Sequence, residues 1–256
     1  MSSEIRVTVL GSGTLVPDGL RNSAGYFATS GGAKIMLDCG AGTLHALARF
    51  DLPWQQITHL FISHFHVDHV GEIASLFHAF RYGMTQERTA PLTVIGPVGL
   101  NRVADGLKLA FGDRLFAPRF PVEFREVVPG DTERLSDDLI LTVAKTPHTE
   151  ESLAVRIDGS KSSLAYTGDT AYSDQLAEFF SDADLLISEC SFQEPRVGVP
   201  HLTIQDAARL ANKARTSRLM VTHFYFEVDE PLLKAELEKG YSGEVIIGRD
   251  GMTICL

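Results

Sequence analysis

Apolar positions along the chain fall into short β-branched runs that alternate with stretches of helical spacing. Ile5–Leu10 (IRVTVL) alternates with period two and predicts a strand. Gly11, Gly13, Pro17 and Gly19 then mark a loop. Gly25–Ser30 and Ala33–Leu37 flank Gly31-Gly32, a strong hairpin signal. A short helix is expected over Thr43–Phe50, and Ile57–Ile62 (ITHLFI) reads as a buried strand. Gly71–Tyr82 places Ile73, Leu76, Phe77 and Phe80 on one helical face.

The same alternation follows in the second half. Leu92–Ile95 predicts a strand, with Pro97 opening a helix to about Phe111. Val122–Val127 and Leu139–Ala144 read as strands. Leu153–Ile157 and Ser163–Tyr166 form a hairpin around Asp158-Gly159. Ser173–Phe180 is expected to be a helix and Leu185–Ser188 a strand. Thr203 is placed to cap a helix to about Arg215, with Asp206 as its capping-box partner. Leu219–Thr222 and Glu244–Ile247 are strands, with a helix over Pro231–Lys239 between them. No repeat, low-complexity tract or charged linker interrupts this pattern. Two mixed sheets with helices outside, in an α/β (α+β) layered architecture, bury these elements most economically. A chain of 256 residues can do so as one domain over residues 1–256.

Charge narrows the partners. The chain carries 23 Lys and Arg against 33 Asp and Glu, a formal charge of -10. That balance disfavours a general nucleic-acid binder, which needs clustered cations, and disfavours charge-driven membrane attachment. Cys39, Cys190 and Cys255 are far apart and form no disulfide framework or Cys-x-x-Cys site. The N-terminal stretch MSSEIRVTVLGSGT has no basic region followed by an apolar core, and no run is long and apolar enough to span a bilayer. A cytoplasmic location is the expectation.

Candidate chemistry lies among the nine histidines. Ser63-His64-Phe65-His66-Val67-Asp68-His69 puts four potential metal ligands within six residues, directly after an apolar strand. His64 and His66 can point the same way as the chain leaves the strand, because side chains alternate with period two. Asp68 and His69 stand where the chain turns into a helix and can aim at a neighbouring point. One loop can thus supply two ligands to each of two adjacent cations. Imidazole with carboxylate suits Zn²⁺, and also Mn²⁺ or Fe²⁺. A lone histidine is more often a packing or surface residue; three beside an aspartate reverse that expectation. Further candidates stand just past other strands: His148 in KTPHTE, Asp169 in YTGDT and His223 in VTHFY.

HFHVDH, His148, TGD with Asp169, and His223 together resemble the metallo-β-lactamase superfamily signature. The likeness spans GSGT at Gly11–Thr14 through THF at Thr222–Phe224. LGSGT, Arg21-Asn22-Ser23, Asp38-Cys39-Gly40 with Gly42-Thr43, and His201 ahead of an Ala-rich helix are similar to the ribonuclease Z branch and its phosphodiesterase relatives. The resemblance implies a four-layer αβ/βα sandwich. It implies that His64, His66 and His148 bind one metal, Asp68, His69 and His223 the other, and that Asp169 bridges them. Two zinc ions about 3.5–4 Å apart could share a bridging hydroxide at neutral pH, with Asp68 orienting it. His201 matches the position of the general acid, and Glu189 at a strand end could hold its tautomer. Homodimers are common in that family.

The chain also departs from the ribonuclease Z pattern. His148 and Asp169 are 21 positions apart, and the hairpin between them leaves no room for a long tRNA-binding arm. After the last histidine that family carries Ser-x-Arg-Tyr, whereas this chain has Tyr225-Phe226-Glu227-Val228. A small phosphodiester is therefore the expected substrate, and large RNA is disfavoured. The alternatives are lactone, carboxylic-ester or β-lactam hydrolysis on the same metals, tRNA 3′ processing, or a non-catalytic metal module. Asp38 is expected to orient a ligand histidine and Cys39 to be buried structure. Gly11-Ser12-Gly13 lacks the third glycine of a dinucleotide fingerprint and reads as a tight turn. His45, His59 and His78 are assigned to structure, and Arg21, Arg81, Arg156 and Lys161 to ordinary surface charge.

Overall fold

The computed structural model describes residues 4–84 and 88–256. Met1, Ser2 and Ser3 of the N-terminal stretch lie outside the described residues. The first sheet contains β1 (Arg6–Gly11), β2 (Gly25–Ser30), β3 (Ala33–Leu37), β4 (His59–Phe61), β5 (Leu92–Pro97), β6 (Val122–Val127) and β14 (Thr253–Cys255), ordered β14-β1-β2-β3-β4-β5-β6. The second contains β7 (Thr132–Ser136), β8 (Leu139–Lys145), β9 (Leu153–Gly159), β10 (Ser163–Tyr166), β11 (Leu185–Glu189), β12 (Arg218–Thr222) and β13 (Glu244–Ile247), ordered β13-β12-β11-β10-β9-β8-β7. Both are mixed: β3 to β6 run parallel, as do β10 to β13, and hairpins complete each sheet.

Apolar faces of the two sheets meet in a central core that includes Val9, Tyr26, Leu37, Leu141, Ile157 and Ile187. The outer face of the first sheet is covered by α1 (Thr43–Arg49), α3 (Ile73–Tyr82) and α4 (Leu100–Phe111). The outer face of the second is covered by α5 (Asp174–Phe179), α6 (Ile204–Ala214) and α7 (Glu230–Leu237). The result is the four-layer αβ/βα sandwich with helices outside. Strands buried on both faces read as continuous apolar runs, which is why LLIS and LMVT lack alternation. Thr203 and Asp206 form the expected capping box, and Ser173 caps α5.

Some expectations shift. Pro97 ends β5 instead of opening a helix, and α4 begins after Gly99, whose φ of 107° suits glycine alone. Thr132–Ser136 and Thr253–Cys255 are edge strands that the pattern did not reveal. A one-turn helix, α2 (Val67–Val70), lies within the ligand cluster itself. Among the described residues no helix is long and apolar enough to cross a membrane.

Candidate metal centre

Every candidate side chain stands just beyond the C-terminal end of a strand. Ser63 to His69 follow β4, His148 follows β8, Asp169 follows β10 and His223 follows β12. Strands β8, β10 and β12 run in one direction, so their ends reach one edge of the second sheet. The loop after β4 reaches the same edge from the first sheet, where Leu153 N donates to Ser63 O at 2.9 Å.

The candidates converge. His64, His66, His148 and Asp169 form one group whose ligating atoms all lie within 4.8 Å of one another, and Asp68, His69 and His223 form a second. Asp169 faces both: Oδ2 lies 3.7 Å from Nε2 of both His64 and His148. Its Oδ1 lies 3.3 Å from Nε2 of His69 and 3.4 Å from that of His223. His148 Nε2 and His66 Nδ1 meet at 3.1 Å, and His223 Nε2 lies 3.3 Å from Asp68 Oδ2. His66 is exposed while His64, His69, Asp68 and Asp169 are buried, so the site opens to solvent on the His66 side.

The hydrogen bonds assign the tautomers. His69 Nδ1 donates to Asp38 Oδ2 at 2.6 Å, and His148 Nδ1 donates to Pro200 O at 3.0 Å. Ser63 Oγ donates to Asp38 Oδ2 and so accepts from His64 Nδ1 at 3.0 Å. Ser191 Oγ donates to Glu189 Oε2 and so accepts from His223 Nδ1 at 2.9 Å. Four imidazoles therefore present Nε2 to the centre. The Nε2 atoms of His64 and His69 and Oδ1 of Asp169 are buried without a hydrogen-bond partner. Each such orphan costs about 1–3 kcal/mol. His64 lies in the first group, His69 in the second and Asp169 between them, so the orphans are donors that divalent cations satisfy, and the residues present fit a metal.

Electrostatics agree. Burial alone would raise the Asp68 carboxyl, but the hydrogen bond with His223 and the fields of His69 and His223 hold it at about 2. Asp169 is likewise buried, yet His223, His69 and His64 keep it well below the usual carboxylate range. Burial pushes His64 down, reinforced by its neighbour His69. Both acids are ionised and ready to bind a cation.

Backbone shape serves the same end. Asp38 and His223 have φ of 59° and 62°, a region that costs a side chain on the order of 1 kcal/mol. Asp38 is fully buried and also accepts from Ser63 N at 2.8 Å and Tyr166 OH at 2.6 Å. It is the orienting acceptor expected from the sequence. Gly40 allows the ligand loop to lie close: a Cβ there would stand 2.0 Å from Asp68 O.

His201 and Glu189 also come together. His201 Nδ1 donates to Glu189 Oε1 at 2.9 Å, and the His201 ring centroid lies 4.8 Å from that of His148. Glu189 is fully buried and accepts from Thr170 N at 2.5 Å and Leu202 N at 3.2 Å. Burial lowers His201, but the Glu189 hydrogen bond and charge outweigh it and raise the imidazole. The sequence assigned no role to Ser63, Tyr166 or Ser191. Each is an unremarkable hydroxyl residue whose only signal is a place beside a ligand or at a strand end.

Several background assignments change. Arg21 is not a surface cation: its side chain is 12% exposed, and its guanidinium donates to Ser12 Oγ and Gly248 O beneath Phe224. Arg156 pairs with Asp158 and donates to Ser181 O. Arg81 has a buried Nε, whereas Lys161 is exposed as expected. His45 and His78 lie on helices but on their solvent sides. Cys39 is fully buried and belongs to neither ligand group.

The model of the beta-lactamase superfamily domain matches residues 33–224, which contain every candidate metal ligand together with Glu189 and His201. The chain belongs to that superfamily. Relatives extend the likeness over nearly its whole length. The probable metallo-hydrolase YhfI of Bacillus subtilis is 28% identical over 259 residues, covering 96% of this chain and 98% of that one. Its crystal structure superposes with a TM-score of 0.84 over 99% of this chain and 100% of YhfI, at 27% identity. Ribonuclease Z of Haloarcula marismortui is 28% identical over 306 residues, covering 97% and 96% of the two chains. The structure of the short form of human tRNase Z, 23% identical over 97% and 98% of the two chains, shares the fold with a TM-score of 0.78. The chain is thus a metal-dependent hydrolase by family, with metal-binding geometry to match.

Proposed function

We propose that this superfamily member is a phosphodiesterase of the ribonuclease Z-like branch, working as one domain over residues 1–256 on a small phosphodiester. The carrying observation is Asp169, whose two oxygens each face a different pair of histidines. That arrangement favours two metal ions per chain. Imidazole and carboxylate donors favour zinc, with Mn²⁺ or Fe²⁺ as the other ions this donor set accepts. His64, His66 and His148 hold one ion, Asp68, His69 and His223 the other, and Asp169 both. When bound, the metals supply Lewis acidity and lower the pKa of water into the neutral range.

The protein's own groups do the rest. Asp68, ionised at neutral pH, orients the attacking water as well as binding metal. His201 gives a proton to the departing oxygen. Glu189 fixes the His201 tautomer by accepting from Nδ1, which leaves Nε2 as the proton carrier. A phosphodiester fits best because its alkoxide leaving group gains most from a positioned acid. Ribonuclease Z among the relatives acts in that reaction class by name.

A small substrate is favoured over RNA. Between His148 and Asp169 the chain is taken up by β9 and β10, both paired within the second sheet. No segment there is left to form an arm. The test is a side-by-side assay of metal-loaded protein on bis-p-nitrophenyl phosphate, a cyclic nucleotide, a precursor tRNA, a lactone and a β-lactam. Hydrolysis of small phosphodiesters above the others is the expected result. Preference for the lactone or β-lactam would move the function to carboxylic-ester or amide hydrolysis, and efficient tRNA cleavage would overturn the small-substrate reading.

A further inference from the structure

A proton donor must touch the departing oxygen, so His201 marks where a leaving group lies. Two aromatic rings flank it. The Phe192 centroid is 5.7 Å from that of His201, and the Tyr225 centroid is 6.0 Å away. Phe192 and Tyr225 are themselves 5.3 Å apart and tilted by 30°. Arg196 covers Phe192 with its guanidinium 4.0 Å from the ring, and Phe192 is buried. Tyr225 is 38% exposed, so its ring is the part of this stack that a bound group can reach.

Tyr225 also borders a cleft of about 240 Å³, formed with Thr14, Val16 and Pro17 and edged by Asp18 and Glu227. A cavity of about 150 Å³ accommodates benzene, so this one suits a single flat ring with small substituents. Among the described residues no Lys or Arg lines it. A second phosphate on the leaving group would meet two carboxylates in the lining, while the Arg21 guanidinium lies beneath Phe224 and is already held by Ser12 and Gly248, which selects against it. Tyr225 and Glu227, which belong to neither of the two metal-ligand groups, thereby gain a role.

We propose that Tyr225 is a specificity residue: its ring face seats a flat, uncharged aromatic leaving group beside His201, and Glu227 and Asp18 exclude anionic ones. The inference rests on the phosphodiesterase reading above. The test uses the full-length, metal-loaded protein and two diesters of matched leaving-group acidity. One is methyl p-nitrophenyl phosphate; the other carries a carboxylate on the departing phenol.

The wild type should prefer the uncharged leaving group by about tenfold in kcat/KM, as pocket discrimination of this kind allows. Tyr225→Ala should raise KM for that diester about tenfold with kcat within about threefold, the signature of lost uniform binding. Tyr225→Phe should keep the wild-type KM, because the ring and not the hydroxyl does the seating. Glu227→Gln, at an exposed position, should narrow the preference without loss of metal. An unchanged KM in Tyr225→Ala, an equal loss in Tyr225→Phe, or a wild type indifferent to the carboxylate would overturn the inference while leaving the phosphodiesterase reading standing. A metal-loaded wild type that hydrolyses neither diester would remove both.

Discussion

The Ser191 hydroxyl lies 2.9 Å from Nδ1 of His223 and, on its other side, donates to Glu189. One hydroxyl thus joins a candidate metal ligand to the carboxylate that holds His201. Removing it should loosen metal and misplace the acid together. Ser191→Ala is expected to weaken metal binding about 10–100-fold, the usual cost of losing a partner that orients a ligand histidine. Chelator competition measures this; Ser191→Thr, which keeps the hydroxyl, should stay near wild type.

Asp169 is the shared carboxylate, so its loss should be felt by both ligand groups. Asp169→Ala is expected to abolish metal retention and activity in one step. A variant that keeps full metal content and more than about a tenth of the activity, a loss of only about 1.4 kcal/mol in transition-state stabilisation, contradicts that role. Elemental analysis beside the hydrolysis assay gives the answer.

His201 should behave differently. His201→Ala is expected to keep its metal yet slow diesters with alkyl leaving groups by about 10²–10⁴, the range for a positioned general acid. On a p-nitrophenyl ester, whose leaving group needs no proton, the loss should be small. Equal losses on both substrates would show that His201 serves structure alone.

Stability should depend on pH through a histidine outside both metal-ligand groups. Burial at the start of β4, aided by the charge of Arg125, pulls His59 down to about 4 from 6.5. The folded state therefore resists protonating it more than the unfolded chain does. Its contribution is complete above about pH 6.5 and is lost as pH falls towards 4. Between pH 7 and pH 4.5 the wild type should lose on the order of 2 kcal/mol more than His59→Gln. Urea unfolding of both proteins at the two pH values checks it, and parallel losses would refute it.

The parts legible in the sequence were those whose signal is local. HFHVDH shows four ligands in one stretch, and Gly31-Gly32 or Thr203 with Asp206 sets its own turn or cap. The two-sheet layering followed from the strand and helix order. What stayed hidden depends on partners distant in the chain. Thr253–Cys255 is a strand only because β1 supplies its register, and Thr132–Ser136 only because β8 does. Pro97 fits a helix start by type, but the pairing of β5 with β6 extends the strand through it. Arg21 looked solvated because nothing nearby shows that Ser12 and Gly248 will enclose it. Ser191 and Tyr225 gained meaning only once His201 and His223 were beside them.

The most direct test of the dinuclear phosphodiesterase account is a zinc titration of the metal-free protein, followed by hydrolysis of bis-p-nitrophenyl phosphate. The account predicts that activity is absent without metal and reaches its plateau at two ions per chain. Full activity in the metal-free, folded protein, or a plateau at a single ion, would contradict it.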